Sequence, residues 1–258
     1  MGIDNPLPLA SAVLRPPTSD LFLWYHADQL VLADGTAINI THQWPPDPVS
    51  ISNRILGESD FADNTNPLYR SNVGGYPAIQ YLDRGALGTS NTWAFPNPFT
   101  SFTGAAGCEI FCIIKCDFDP PTDPTFAGLW TLSSGIDYDA IYRWPGADAN
   151  FRKVFFAAFS TANHDCGIPT ANLAAWQVLS VKSKTNLYNV RISGTDIFTT
   201  ATNTFFTPGN STGFRIGVDR NPVYPHGYIR ELMFYQTCDA TATRAAAVEA
   251  YANQKYGI

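Results

Sequence analysis

The sequence predicts an all-β protein, in which two antiparallel sheets pack as a sandwich and one helix closes the C-terminus. Charged residues make up only 15% of the 258 residues, whereas Gly and Pro number 19 each and aromatic residues reach 14%. This composition favours many strands joined by turns over a helical bundle. Short apolar runs also recur at roughly 8–12-residue spacing, as in all-β domains. We expect one domain, residues 21–258, preceded by an arm at residues 1–20.

The first 20 residues predict an extended arm. Pro6, Pro8, Pro16 and Pro17 fall within it, and proline lacks the amide hydrogen that a central strand needs. A free arm of this kind usually frays. We therefore expect this one to lie against the body of the domain or against another subunit.

Turn signals separate the apolar runs that we predict as strands. Asp34-Gly35 is a tight-turn pair, and Lys182 to Asn186 is the clearest hairpin turn because alternating runs flank it. The Thr-rich segment Phe198 to Phe206 predicts an edge strand or a long turn. The predicted strands are Leu21 to Asp28, Ala78 to Leu82, Glu109 to Cys116, Phe126 to Leu132, Ala140 to Trp144, Lys153 to Phe159, Ala174 to Lys182, Tyr188 to Ser193 and Gly213 to Val218.

The chain ends in a strand followed by its best helix. Gly227 to Gln236 alternates with a period near two and has apolar residues on both faces, which predicts a buried strand. An alanine-rich helix follows at about residues 240–256, where one stripe of side chains recurs at three- and four-residue intervals. Asp239 or Thr241 can cap its start, and Gly257 suits a left-handed turn at its end.

The five cysteines predict neither a disulfide framework nor a metal site. Cys108, Cys112 and Cys116 share strand parity, so we expect them to line one face of a buried strand as small core residues. Their spacing fits no zinc pattern. A reducing place of synthesis is the simplest account.

Charge and hydropathy exclude two classes of partner. The formal net charge of −6 argues against nucleic acid, whose binding rests mainly on Lys and Arg. No apolar segment is long enough to span a bilayer, and the first residues lack the features of a secretory signal. We expect no membrane insertion and no removed leader.

Several motifs resemble one known family, the laminin-G-like, concanavalin A-like jelly-roll domains of bacteriophage virion proteins and bacterial surface proteins. LFLWYHAD at 21–28 looks like the family's opening strand, and Gly75 to Ile79 is similar to its G-x-P-x-hydrophobic step. The Asp34-Gly35 turn with Trp44 and Asp47 is similar to its D-G…W-x-D segment. The closest part combines Phe214 to Gly217 and Gly227 to Glu231 with Val248 to Tyr251 and Lys255 to Gly257.

The resemblance implies a jelly-roll sandwich over residues 21–258, in which the last segment seals the fold. Glu231 and Lys255 would then be structural, and Tyr251 and Tyr256 would be packing residues. Motifs of this kind specify fold far better than function.

Catalysis in this fold would require paired carboxylates, and the sequence does not supply them. The glucanases of the fold use an E-x-D-x-x-E strand, and a retaining mechanism needs carboxyls ~5 Å apart. Asp137 and Asp139 share strand parity but lie in a predicted loop, where turn formation is the simpler account. We predict no enzymatic activity. The chain's glutamates, none with a carboxylate partner on a predicted strand, are Glu58, Glu109, Glu231 and Glu249.

Binding would rest on aromatic loops, since sugar rings stack on flat side chains while polar neighbours bond their hydroxyls. Two segments fit this requirement. The alternative is that their aromatic rings fill the interior of the sandwich or form a contact with another subunit. The candidate binding residues are Trp93, Phe95 and Asn97 in the first segment, and Tyr142, Arg143, Trp144 and Asp148 in the second. Asp117, Asp119 and Asp123 would suit Ca²⁺ but follow no regular ligand pattern, so we predict no cofactor.

These observations favour a non-enzymatic structural or adhesion protein of a bacteriophage particle, either a head decoration protein or a tail-associated receptor binder. Its partners would be other virion proteins or copies of itself, met through the arm, and a host surface glycan. The alternatives are a carbohydrate-binding module, at a bacterial surface or secreted, and a glycoside hydrolase or lyase of the same fold.

Overall fold

The computed structural model describes residues 14–29, 68–81, 93–95, 107–116, 130–133, 155–156, 160, 164–166, 170–172, 174–205, 213–216, 227–239 and 241–258. Every strand pair among them is antiparallel, and one α-helix follows the last strand, so the predicted all-β sandwich class is confirmed. A 3₁₀ turn, Ala27–Gln29, follows the first strand. The strands are β1 Leu21–His26, β2 Leu68–Val73, β3 Tyr76–Tyr81, β4 Trp93–Phe95, β5 Cys108–Cys116, β6 Trp130–Ser133, β7 Phe155–Phe156, β8 His164–Asp165, β9 Gln177–Lys184, β10 Leu187–Ile192, β11 Thr195–Thr200, β12 Gly213–Ile216 and β13 Gly227–Tyr235, and the helix is α1 Thr243–Tyr256.

The largest sheet is built around β13. Its strands run in the order β11-β10-β9-β5-β13-β3-β2, and β1 also pairs with β13. One edge of β13 pairs with β5, while the other pairs first with β3 at Gly227–Ile229 and then with β1 at Glu231–Tyr235. A β-bulge between Ile229 and Glu231 marks the change of partner, as bulges do where a strand bends. Smaller sheets are formed by β4-β12-β6 and by β7-β8.

Both faces of the central strands β5, β9 and β13 are buried. Helix α1 covers one face, where Phe111, Ile113, Val178 and Met233 meet the helix residues of a single core cluster. Cys108 and Cys112 lie buried on the other face of β5, as their strand parity predicts. The small side chains of the helix alanines allow the helix to lie close to the sheet. The buried residues of the helix are Ala245, Val248, Tyr251 and Ala252.

Helix α1 ends as predicted and begins slightly later. Gly257 has φ 71° and its N–H bonds to Asn253 O at 2.8 Å, which closes the last turn. The helix begins at Thr243, and Ala242 occupies the preceding cap position without a side-chain bond. Asp239 still supplies the capping acceptor, because its Oδ2 accepts from the amide of Arg244 at 2.8 Å.

The buried carboxylate of Glu231 joins the helix to the sheet. Its side chain is 0% exposed. Trp24 Nε1 donates to Oε2 at 2.7 Å, and Tyr251 OH and Lys255 Nζ donate to Oε1 at 2.7 and 2.8 Å. Tyr256 OH also donates to Oε1. Burial raises the pKa of Tyr251 and Tyr256, so both hydroxyls remain protonated donors.

A second carboxylate extends this cluster toward the surface. Asp28 follows β1, and its Oδ2 lies 2.9 Å from Lys255 Nζ while its Oδ1 lies 2.5 Å from His26 Nδ1. Burial alone would raise the pKa of Asp28, but the hydrogen bond and charge of His26 and the charge of Lys255 lower it below its usual range. Lys255 on the helix thus pairs with two carboxylates, one that follows β1 and one on β13.

Part of the predicted arm is described, and it packs on the sheet. Leu14 lies against the core cluster, and Tyr235 OH donates to Pro17 O at 2.9 Å. Residues 1–13 lie outside the described residues. Among those described, no helix is long and apolar enough to cross a membrane.

We expect Glu231→Gln to destabilise the protein by about 3–5 kcal/mol, because it removes the charge that four donors surround in a buried site. Urea denaturation followed by tryptophan fluorescence measures this. Gln254→Ala, an exposed change on the same helix, should stay within about 0.5 kcal/mol of the original. Equal stability of Glu231→Gln and the original protein would show that the cluster does not hold the helix.

Candidate functional site

The binding residues predicted from the sequence remain untested. Trp93 and Phe95 lie on β4, where the backbone pairs them with Ile216 and Phe214 of β12, but the structure describes nothing of their side chains. The other predicted positions lie outside the described residues: Asn97, Tyr142, Arg143, Trp144 and Asp148, the Ca²⁺ candidates Asp117, Asp119 and Asp123, and the pair Asp137 and Asp139. Within the described part of the chain, no group of three or more His, Cys, Asp or Glu could hold a metal ion.

A concave polar pocket lies where the start of helix α1 meets the outer strands of the large sheet. Its volume is about 190 Å³, and strands β9, β10 and β11 form its floor. We call it the helix-start pocket. No aromatic side chain is among the described residues that line it, which are Lys182, Leu187, Asn189, Arg191, Asp196, Thr199, Asp239, Thr241, Ala242 and Ala245.

Strand register brings the floor of the pocket together. Asn189 on β10 lies directly opposite Lys182 on β9 and Thr199 on β11, so the three side chains share one face of the sheet. Arg191 follows two residues after Asn189 and therefore points to the same face. A bulge between Val190 and Arg191 then places Asp196 opposite Arg191.

Both cationic side chains of the pocket, Lys182 and Arg191, are bonded to other residues of this chain. Lys182 Nζ donates to Asp239 O at 3.0 Å and to Thr241 O at 2.9 Å, and it lies 3.4 Å from Glu109 Oε1. Burial raises the pKa of Glu109, although Lys182 and another cation, Arg244, oppose this effect.

The second cation, Arg191, is paired with the helix. Its Nε donates to Glu249 Oε1 at 2.7 Å and its Nη2 to Oε2 at 3.3 Å, which is a bidentate arrangement. This hydrogen bond raises the pKa of Arg191. Nη1 lies 3.4 Å from Asp196 Oδ1, so each of the three guanidinium nitrogens contacts a carboxylate.

Acceptors in the pocket, by contrast, remain open. Asn189 is only 8% exposed, and the two hydrogens of its Nδ2 are shared among Thr199 Oγ1 at 2.8 Å and Asp196 Oδ1 and Phe198 O at 3.2 Å each. Its Oδ1 accepts no hydrogen bond from any described residue. The Asp196 side chain is 57% exposed, and its Oδ2 is likewise without a described partner. Thr199 accepts from Asn189, which leaves its hydroxyl hydrogen available.

Another polar cluster has the residue types of a nucleophile site but not its geometry. Ser160 Oγ lies 3.1 Å from His164 Nε2, yet it donates to Asn203 Oδ1 at 2.6 Å. Ser160 is 0% exposed, so no substrate reaches it. Burial lowers the pKa of His164, which packs on the ring of Tyr188 at 4.1 Å. The cluster therefore fastens loops to the sheet.

The aromatic rings near the other end of the helix also have a structural role. Arg230 is 2% exposed, and its guanidinium lies 3.7 Å from the ring centre of Trp176, 5.1 Å from that of Tyr76 and 4.8 Å from that of Tyr256. Its Nη2 donates to Val73 O at 2.5 Å. Arg230 thus fills this aromatic box and ties the β2–β3 turn to the helix end.

Several solved structures resemble this chain at low sequence identity. Domain 4 of the extracellular arabinanase AbnA of Geobacillus stearothermophilus, solved with arabinotriose, is 17% identical over 72% of this chain and 82% of that one, with a TM-score of 0.49. A Trypanosoma rangeli sialidase in complex with sialic acid is 12% identical over 93% of this chain and 34% of its own, with a TM-score of 0.47. A solved receptor binding domain is 10% identical over 72% of this chain and 44% of its own, with a TM-score of 0.51.

At these identities the likeness concerns the fold alone, and this chain spans about a third of the sialidase. No protein-family model matches the chain, and a search of curated proteins finds no match either.

Sequence reasoning missed the helix-start pocket because none of its residues forms a motif. The one local signal is the strand Leu187–Ile192, in which Asn189 and Arg191 alternate with the buried Tyr188, Val190 and Ile192. Polar residues at every second position of a strand that an adjoining helix partly covers point to a polar recess.

Asp239, which caps the start of helix α1 and lines the pocket, predicts that the stability of the protein depends on pH. Burial opposes ionisation, but hydrogen bonds from the amides of Arg244 and Thr241 lower the pKa of Asp239 to about 2. We expect Asp239→Ala to cost about 1 kcal/mol at pH 7. This contribution exists above the ordinary carboxyl pKa of 3.8 and is lost as pH falls toward 2, so the two proteins should converge there.

Urea denaturation at several pH values between 2.5 and 7 measures the difference. Asp239→Asn is the matched control, since it keeps a side-chain acceptor but does not titrate. A difference between Asp239→Ala and the original protein that stays constant down to pH 2.5 would contradict the proposed cap.

Proposed function

We propose that this chain is a non-enzymatic adhesion domain that binds one sugar residue of a glycan in the helix-start pocket. The observation that carries the proposal is the set of open polar groups on its floor, the Asn189 carbonyl, the Asp196 carboxylate and the Thr199 hydroxyl, all on adjacent β-strands. Sites of this kind combine a recess with a few convergent polar groups. Rigid strands hold those groups in place before the ligand arrives.

The size of the pocket supports a small polar ligand. A volume of about 190 Å³ is below the ~300–1,000 Å³ of sites for drug-sized molecules, so it suits a single ring. Because none of the described lining residues is aromatic, binding would depend on hydrogen bonds instead of ring stacking. Leu187, Ala242 and Ala245 supply the apolar part of the wall.

The described carboxylates support binding without catalysis. Glu109 and Glu231 are fully buried among cations or hydroxyls, and Glu249 is bonded to Arg191. Glycoside cleavage needs a raised-pKa acid and a second carboxylate, both facing the substrate. Of the two carboxylates that line the pocket, Asp239 has a lowered pKa and caps the helix, so it is no general acid.

The setting that we propose is a bacteriophage particle, as the sequence resemblance implies, with a host surface glycan as the ligand. The arm at residues 1–20 would contact other virion proteins or copies of the chain, and the described part of it lies along the sheet at Leu14 and Pro17. A bacterial cell surface or a secreted module remains the alternative setting. The likeness to a receptor binding domain concerns the fold alone, so the proposal rests on the pocket.

A glycan array followed by titration of the retained glycans tests the proposal. We expect Asp196→Asn and Thr199→Val each to weaken binding by about tenfold, because each removes one hydrogen-bonding group from the pocket, worth about 1.4 kcal/mol. The matched control is Thr195→Val, an exposed threonine on the same strand that does not line the pocket.

Retention that survives both pocket changes would place the glycan elsewhere and refute the site. Absence of any retained glycan would refute the adhesion function. Release of reducing sugar by the original protein would refute the non-enzymatic part of the proposal. Circular dichroism of each variant establishes that the fold persists.

A further inference from the structure

We infer, on the basis of the proposed function, that the sugar in the helix-start pocket is uncharged and is held mainly through its hydroxyl hydrogens, so that acidic sugars are excluded. The inference rests on which polar groups in the pocket are already bonded and which are open.

The cations are not available to a ligand. All three described interactions of Lys182 Nζ are with oxygens of this chain, two carbonyls and the Glu109 carboxylate. Two of the three donor hydrogens of its ammonium group bond carbonyls, and its charge already faces the Glu109 carboxylate. The charge of Arg191 is paired with two carboxylates, with Glu249 through Nε and Nη2 and with Asp196 through Nη1. A ligand carboxylate would therefore meet no cation on the floor of the pocket whose charge is not already paired.

The open groups are acceptors. Asn189 Oδ1 and Asp196 Oδ2 each lack a described donor, and both belong to residues that line the pocket. Sugar hydroxyls are hydrogen donors, and hydrogen bonds to an ionised carboxylate are roughly twice as strong as those between neutral groups. Thr199 adds one hydroxyl, which can donate to a ring or hydroxyl oxygen. The two acceptors, Asn189 Oδ1 and Asp196 Oδ2, and the donor hydroxyl of Thr199 therefore suit an uncharged sugar ring that carries hydroxyl groups.

The same arrangement repels an anion. The side chain of Asp196 is more than half exposed, so it meets the ligand directly. A carboxylate on the ligand would approach this like charge while the neighbouring guanidinium of Arg191 is already neutralised. Specificity would then come from the unfavourable contact with acidic sugars as well as from the favourable one with neutral sugars.

Three pairs of monosaccharides test the inference: glucose with glucuronic acid, mannose with mannuronic acid, and galactose with galacturonic acid. The members of each pair differ only in the carboxylate at C6. Titration followed by ligand-observed NMR measures their dissociation constants. For the pair whose neutral member binds best, we expect the acid to bind at least tenfold more weakly at pH 7 and low salt. Asp196→Asn should reduce that ratio to threefold or less, while Thr195→Val should leave it unchanged.

The outcomes separate this inference from the proposed function. If an acidic sugar binds as tightly as its neutral partner, and Thr199→Val weakens both, the pocket binds sugars but the inference is wrong. If Asp196→Asn leaves the ratio unchanged, the carboxylate is not the source of exclusion and the inference is also wrong. If no neutral or acidic sugar among the six binds through Thr199, the adhesion proposal fails at this site, and the inference fails with it.

Discussion

The fold depends on the burial of one charge, the Glu231 carboxylate. A fully buried carboxylate costs several kcal/mol in lost hydration unless donors replace the water around it. Four donors do so here, one from β1 and three from helix α1. Since Glu231 lies on β13, which pairs with β5 on one edge and with β1 on the other, a single side chain fixes the relative positions of the central strands and the helix.

The position of the helix in turn creates the pocket. Glu231 holds the C-terminal half of the helix over β13. Near the start of the helix, Arg244 Nη1 donates to Glu109 Oε2 at 3.1 Å. Between these two points the helix covers the centre of the sheet, and its Glu249 reaches Arg191 on β10, while the start of the helix leaves a recess above β10 and β11. The recess lies at this border, with the helix start as its wall and the strands as its floor. The same interactions that close the core therefore determine the position of the pocket.

The closing strand and helix were predictable because their signals are local. Alternation from Gly227 and the three- and four-residue spacing of Val248, Tyr251 and Lys255 each describe a single element. The hairpin at Asn186 was predictable for the same reason, and Asn186 has a positive φ of 62°, a conformation that asparagine tolerates in turns. The pocket was not predictable, because Lys182, Asn189 and Thr199 meet only through the register of three strands, and register depends on the whole sheet.

The ligand selectivity that we infer follows from the way in which the helix is anchored. Lys182 reaches the carbonyls that precede helix α1, and Arg191 reaches Glu249 within it, so the two cations of the pocket are also bonds between sheet and helix. Releasing either cation to bind an acidic sugar would leave a helix-side acceptor without its partner, which costs stability. An acidic ligand must therefore compete with the fold itself, whereas a neutral sugar uses only Asn189, Asp196 and Thr199, whose open groups the fold does not need.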